Sequence, residues 1–235
     1  MRILDWIHYP FLNFVISYLI FGNSLIDSSL IFLITFIGSY HIYSINDYFD
    51  KKTTKLLLLY LALIISLILS FLLPYPSPII LSFLFICNYF YSKTLKRYPF
   101  IDVILIFLIA FLGVLFSTLQ FSPDSVLFSS IFGFLAAVAH PLQCIRDYRK
   151  DSKNKYNTVA VFLGNKTKLF SALLLFVFSL CYYFIAAPSL KLNPFIILVY
   201  LPVFFYYRSD DSVLIWTYLK IFSGLFFMGL LYSYV

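Results

Sequence analysis

The 235-residue sequence is poor in charged side chains and contains no glutamate, so ten aspartates are its only acidic residues. Charged residues make up 11% of the chain and hydrophobic residues 62%. The mean hydropathy is accordingly high, at +0.94. A soluble core of this length needs far less apolar surface, so the composition excludes an ordinary soluble domain and predicts an integral membrane protein.

Cysteines are also scarce, and the three that occur, Cys87, Cys144 and Cys181, are widely separated within apolar runs. This spacing shows neither a disulfide framework nor a zinc motif, so we expect buried, unreactive thiols. The sequence lacks the alternating ten-residue segments of a membrane β-barrel. It also lacks the internal repeat and the paired broken helices that are typical of many transporters.

Long apolar runs are what the sequence does contain. A membrane-spanning helix needs ~20 predominantly apolar residues. On that criterion we predict an all-α integral membrane protein of about nine transmembrane helices, forming a single domain over residues 1–235. The predicted spans are 8–26, 29–45, 55–73, 78–92, 100–121, 125–144, 166–187, 192–207 and 213–234.

The basic residues predict the orientation of these spans. With the N-terminus on the inner side, 15 of the 17 lysines and arginines fall in inner segments. This asymmetry is what the positive-inside rule describes, so the N-terminus and the inner loops are predicted to be cytoplasmic. The net charge of +7 then reflects topology and attraction to anionic membrane lipid, and no nucleic-acid partner is expected.

Two acidic pairs stand at inner ends of apolar runs. Asp47 and Asp50 are three residues apart, and Asp147 and Asp151 are four apart, so each pair occupies one face of a helix. Asn46 adds a neutral oxygen beside the first pair. Such oxygen ligands suit Mg²⁺, which is usually held by a few carboxylates together with substrate phosphate. The alternative is that these acids pair with neighbouring lysines and arginines on a wetted surface.

A basic and aromatic segment lies between the two acidic pairs, at the inner end of the fourth span. It contains Tyr91, Lys93, Lys96 and Arg97. Three cations together with phenol groups would suit the oxygens of a diphosphate. The alternative is an interfacial anchor, because aromatic and basic residues are common at membrane surfaces.

Other polar residues within or beside the spans are assigned structural roles first. Asp102, at the start of the fifth span, is predicted to cap a helix rather than to act in catalysis. His41 is predicted to be a packing or helix-end residue. Lys220 lies within the ninth span, where snorkelling to the interface and reaching a cavity both remain open.

The order of these motifs resembles the UbiA-type intramembrane prenyltransferases. Asn46-Asp47-x-x-Asp50 is similar to the first aspartate-rich motif of that family, and Arg146-Asp147-x-x-x-Asp151 is similar to the second. Between them, Tyr91-Ser92-x-x-Leu95-Lys96-Arg97 resembles the basic motif. Asn13 is similar to an asparagine in the first helix of family members.

The resemblance implies a helical bundle around a central cavity whose polar end faces the cytoplasm. It also implies transfer of an isoprenyl group from an isoprenyl diphosphate to a lipophilic aromatic or hydroxyl acceptor. The four motif aspartates would be catalytic and would bind Mg²⁺. The implied substrate-binding residues are Asn13, Asn46, Tyr91, Lys93, Lys96, Arg97 and Arg146.

The sequence also departs from the family pattern. Thr54 stands where the first motif usually has a further acid, and Lys150 stands where the second usually has glycine. The Asn-Arg-Pro-Leu-type segment that normally follows the first motif is missing, since Lys55 leads almost directly into the next span. Since an enzyme without an acceptor could lose part of that segment, a terpene cyclase on the same scaffold remains an alternative. A non-catalytic polyprenyl-lipid binder or transporter is the third hypothesis, and the retention of all four motif aspartates argues against it.

Overall fold

The computed structural model describes residues 8–50, 55–153, 156–206 and 212–234, and these parts consist of helices and connecting turns without any strand. The α-helices are α1 (His8–Val15), α2 (Leu25–Phe49), α3 (Leu56–Ser70), α4 (Ser77–Lys93), α5 (Ile101–Thr118), α6 (Pro123–Lys153), α7 (Val159–Leu163), α8 (Thr167–Cys181), α9 (Ala187–Ser189), α10 (Leu201–Tyr206) and α11 (Ser212–Tyr234). The predicted all-helical fold class is therefore confirmed.

Shorter helical turns join several of these elements. Single π-helical turns extend α1 over Ile16–Ile20 and α8 over Tyr182–Ala186. Turns of 3-10 helix cover Leu95–Arg97, Gly164–Lys166 and Pro194–Tyr200. The first of these matters for the site, because it carries the last two cations of the basic motif.

Among the described residues, four helical segments are long and apolar enough to cross a membrane: Leu25–Phe49, Ile101–Thr118, Pro123–Arg149 and Val159–Ser189. The predicted total of nine spans stays a prediction. The boundary between the first two predicted spans, 8–26 and 29–45, differs from the observed one. The chain turns at Gly22, where φ is +62°, and α2 already begins at Leu25. Ser24 caps this helix by accepting the Asp27 N–H at 3.1 Å, which an apolar count does not detect.

The chain divides into two compact units. The first comprises the described parts of residues 1–94 and 111–126, and so contains α1 to α4 and the second half of α5. The second comprises those of residues 95–110 and 127–235, with the first half of α5 and nearly all of α6 to α11.

In the first unit, one buried and one partly buried hydrogen bond fix the C-terminal part of α2. His41 Nδ1 lies 3.0 Å from the Leu59 carbonyl oxygen of α3. Asn88 of α4 donates its side-chain amide to the Ile42 carbonyl at 3.3 Å. Where lipid or apolar side chains replace water, such bonds hold neighbouring helices together. His41 is thus the packing residue that the sequence predicts.

The second unit is held by a core around α6. Val103, Ala137, Cys144, Val159 and Ala160 are buried together there. The buried Ser171 hydroxyl of α8 also donates to the Val138 carbonyl of α6 at 2.6 Å. These contacts position the C-terminal half of α6, which carries the second aspartate motif.

A glycine on α6 allows the close approach of α5 in this unit. A methyl group added at Gly133 would lie 2.8 Å from Phe107 Cε2 and 3.1 Å from the Phe107 carbonyl oxygen. We therefore expect Gly133→Ala to lower the free energy of unfolding by about 1–3 kcal/mol through overpacking. Thermal unfolding of the detergent-solubilised protein measures this loss.

Gly224 of α11 provides the matched control, because among the described residues only its chain neighbours and its own helix backbone can lie within 4 Å of the added methyl group. Gly224→Ala is expected to keep or raise the melting temperature, since alanine favours helix by roughly 1 kcal/mol. Equal melting temperatures for the two variants would contradict tight packing at Gly133.

Candidate active site

The first aspartate motif lies at the C-terminal end of α2. Asn46 and Asp47 belong to the last turn of the helix, and Asp50 follows as the cap, with its N–H donating to the Asn46 carbonyl at 3.0 Å. All three side chains are partly exposed. Carboxylates at a helix C-terminus face the negative end of the helix dipole, which is unfavourable without a nearby cation.

The end of α4 lies beside this motif within the first unit. The rings of Phe49 and Tyr89 are 5.7 Å apart and nearly perpendicular. The Lys93 ammonium donates to the Tyr89 hydroxyl at 3.1 Å. The structure therefore brings the first half of the basic motif, which includes Tyr91 and Lys93, next to the helix end that carries Asp47 and Asp50.

The second aspartate motif lies at the C-terminal end of α6, again at the negative end of a helix dipole. The Arg146 guanidinium donates twice to Asp147, from Nε to Oδ1 at 3.2 Å and from Nη2 to Oδ2 at 3.1 Å. Both side chains are about half exposed, at 50% and 47%. An exposed pair of this kind contributes ~0–1 kcal/mol to stability. Breaking it, so that Asp147 binds a cation or Arg146 binds an anion, therefore costs little.

Tyr156 connects the second aspartate motif to the other half of the basic motif. Its ring centroid lies 5.8 Å from Lys96 Nζ and 4.8 Å from Arg97 Cζ. Its backbone N–H donates to the Asp151 carbonyl at 2.9 Å. The Lys96 side chain is largely buried, at 9% exposure, whereas Arg97 is exposed. Tyr156 therefore contacts both cations through its ring and Asp151 through its backbone.

The sequence did not single out Tyr156. It is the only aromatic residue in the polar stretch 152–158, and that contrast is the one signal that could have drawn attention to it. Cation–π contacts with residues so distant in the chain cannot be inferred from spacing.

The predicted site residues divide between the two units, with the boundary falling inside the basic motif, between Thr94 and Leu95. Asn13 is buried on α1 and belongs to the first unit. The first unit holds Asn13, Asn46, Asp47, Asp50, Tyr91 and Lys93, and the second holds Lys96, Arg97, Arg146, Asp147 and Asp151. Each unit therefore combines one aspartate pair with one part of the basic motif.

A recess of about 530 Å³ adjoins the second aspartate motif. Arg146 and Arg149 line it from α6, and Gly164 and Asn165 line it from the turn after α7. Two guanidinium groups beside one open recess suit an anionic group.

Comparison with known sequences identifies the family. The model of the UbiA prenyltransferase family matches residues 51–231. The chain belongs to the UbiA prenyltransferase family. The matched range includes the basic motif and the second aspartate motif, and the first aspartate motif lies directly before it. A search of curated proteins gave no match.

Two solved structures share the UbiA fold with this chain. One is a digeranylgeranylglyceryl phosphate synthase, with 17% sequence identity and a TM-score of 0.73, covering 98% of this chain and 93% of that one. The other is a UbiA homolog from Archaeoglobus fulgidus bound to Cd²⁺, with 21% identity and a TM-score of 0.66, covering 99% and 97%. The chain is therefore an integral membrane protein with the prenyltransferase fold, and its family membership supports isoprenyl transfer.

The aspartate motifs suit a divalent cation on chemical grounds. Each pair offers only oxygen ligands, which hard cations such as Mg²⁺ prefer. Each pair also lies at a helix end whose partial negative charge favours a bound cation. The Archaeoglobus homolog was solved with Cd²⁺, so another UbiA protein binds a divalent cation.

Proposed function

We propose that this protein transfers an isoprenyl group from an isoprenyl diphosphate to a lipophilic aromatic or hydroxyl acceptor within the membrane, with Mg²⁺ as its cofactor. The observation that supports this proposal is the pairing of each aspartate motif with cations of the basic motif. Phe49 and Tyr89 connect the two kinds of group in the first unit, and Tyr156 connects them in the second. The chain acts as one domain in this proposal.

In this mechanism Asp47, Asp50, Asp147 and Asp151 would hold Mg²⁺. When bound, Mg²⁺ neutralises charge on the diphosphate and makes it a better leaving group. Lys96 and Arg97 donate hydrogen bonds to diphosphate oxygens, and charge-assisted bonds of this kind are about twice as strong as neutral ones. Asn13, Asn46, Tyr91, Lys93 and Arg146 complete the substrate contacts.

The chemistry breaks the bond between the first isoprenyl carbon and the diphosphate oxygen, and the electron pair leaves with the diphosphate. The acceptor then supplies the electrons for the new bond and loses a proton. The developing allylic cation needs surroundings without water and with aromatic faces, which stabilise cations. A chain in which 22% of residues are aromatic can provide these.

The test is a product assay with purified protein. Isoprenyl diphosphates of several lengths are incubated with and without Mg²⁺, and with and without lipid or aromatic acceptors, and products are identified by mass spectrometry. We expect a prenylated acceptor only when Mg²⁺ and an acceptor are both present. Products formed without an acceptor would favour the terpene cyclase, and failure to consume any diphosphate would contradict both enzymes.

The proposed orientation places the N-terminus and both aspartate motifs in the cytoplasm. Cysteines introduced at Gln120 and Lys191 should then react with a membrane-impermeant thiol reagent in sealed cells, whereas a cysteine at Lys153 should react only after permeabilisation. All three native side chains are exposed in their own units. Labelling of the protein without an introduced cysteine gives the background from the native cysteines. Labelling at Lys153 in sealed cells would reverse the orientation.

A further inference from the structure

A second cluster of ligand-type side chains lies inside the second unit. Asp102 belongs to the first turn of α5, and His140 and Cys144 lie one turn apart on α6. Their exposures are 0%, 6% and 5%, so all three are buried. His140 Nε2 lies 3.3 Å from Asp102 Oδ2 and 3.4 Å from Cys144 Sγ, and Sγ lies 4.0 Å from Oδ2.

These distances do not describe a nucleophilic relay. A Cys–His–Asp relay needs one ring nitrogen for the cysteine and the other for the carboxylate. Here the same nitrogen, His140 Nε2, approaches both Cys144 and Asp102. The three ligand atoms converge on one point instead of forming a chain.

A nitrogen, a sulfur and an oxygen that lie this close together can bind one metal ion. Bonds of about 2.0–2.3 Å around tetrahedral Zn²⁺ separate neighbouring ligand atoms by roughly 3.3–3.6 Å. The observed separations of 3.3, 3.4 and 4.0 Å lie close to that range. Small side-chain adjustments would bring all three atoms within bonding distance of one ion.

The surroundings of the carboxylate support this interpretation. The Val103 N–H donates to Asp102 Oδ1 at 2.8 Å, and the Val159 N–H donates to Oδ2 at 3.3 Å. Hydrogen bonds of this kind orient metal-binding carboxylates. The cluster adjoins an apolar core, where a carboxylate is costly unless a cation balances it.

We propose that Asp102, His140 and Cys144 bind a transition-metal ion of the Zn²⁺ type. Mg²⁺ prefers oxygen ligands, so thiolate and imidazole make this site chemically distinct from the aspartate motifs. The ion links α5 to α6, and the Val159 hydrogen bond extends the link to α7. Because Cys144 precedes Asp147 by about one turn, the ion would fix the helix end that carries the second aspartate pair.

The test uses purified protein in detergent, stripped with a chelator and then titrated with Co²⁺. We expect a thiolate-to-Co²⁺ charge-transfer band that Zn²⁺ abolishes by displacement. Cys144→Ser should remove the band, and His140→Gln and Asp102→Asn should each weaken Co²⁺ binding by roughly tenfold or more. Elemental analysis after dialysis against Zn²⁺ provides a second measurement, the zinc content per protein molecule.

Two variants serve as controls for this titration. Cys181→Ser alters a partly buried cysteine of α8 and should leave the band unchanged. Asp47→Asn alters the first aspartate motif and should also leave it unchanged. If the wild-type protein gives no thiolate band, or if the band survives Cys144→Ser, the proposal is wrong. Should Cys144→Ser fail to fold, the wild-type spectrum and the Co²⁺ affinity of Asp102→Asn still decide whether the proposal holds. Because no turnover is measured, this result is separate from the proposed enzyme activity.

Discussion

Asp47→Asn and Asp151→Asn are expected to lower turnover on the order of a hundred- to a thousandfold, the cost of removing one group that stabilises transition-state charge. The reason is that each substitution removes a proposed Mg²⁺ ligand while it preserves the size of the side chain. Both aspartates are partly exposed at helix C-termini, where a single charge contributes at most about 1 kcal/mol to stability. The variants should therefore lose activity without a comparable loss of thermal stability.

Asp27 supplies a control from the same helix as Asp47. It lies in the first turn of α2, where its carboxylate accepts the Ser24 hydroxyl at 2.8 Å and meets the positive end of the dipole. Asp27→Asn should change stability as little as Asp47→Asn does, and it should leave turnover unchanged. If the Asp47 and Asp151 variants kept near-normal turnover with intact thermal stability, the aspartates would not be metal ligands.

The positions of the aspartate motifs were predictable because the membrane restricts where charge can lie. In a chain with so few charges, carboxylates collect where apolar runs end, and both predicted pairs are found at helix C-termini. The helical fold class follows from the same constraint, since a bilayer core accepts only helices or closed barrels. The division into two units was not predictable, because two of its three boundaries fall within continuous helices, between Ala110 and Phe111 in α5 and between Val126 and Leu127 in α6.

Contacts between distant parts of the chain were the features that spacing could not reveal. Asp102 lies 38 residues from His140 and 42 from Cys144, and each residue had a simpler interpretation alone. The prediction that Asp102 caps a helix is wrong, because α5 begins one residue earlier, at Ile101, and among the described residues Asp102 Oδ1 accepts only the adjacent Val103 N–H. Its second oxygen contacts two further elements. The spacing of the cysteines predicted no zinc motif, because the ligand set that we propose combines three residue types from two helices.

Lys96→Gln is expected to raise the KM for the isoprenyl diphosphate and to lower kcat. Lys96 is largely buried near the Tyr156 ring, so glutamine would leave the diphosphate with one positioned cation fewer. The loss of one charge-assisted contact typically costs ~1.5–3 kcal/mol, or roughly ten- to a hundredfold in affinity. Both constants are measured with the acceptor at saturation.

Lys166 is the matched control for this substitution, because it belongs to the same unit, is exposed and lies outside all three motifs. Lys166→Gln removes an equal charge from the second unit, so any general effect of net charge on donor attraction appears in both variants. Only Lys96→Gln should also remove a direct contact with the diphosphate, so only that variant should change KM and kcat together. Equal and small effects at the two positions would mean that the basic motif is an interfacial anchor and that the diphosphate is bound elsewhere.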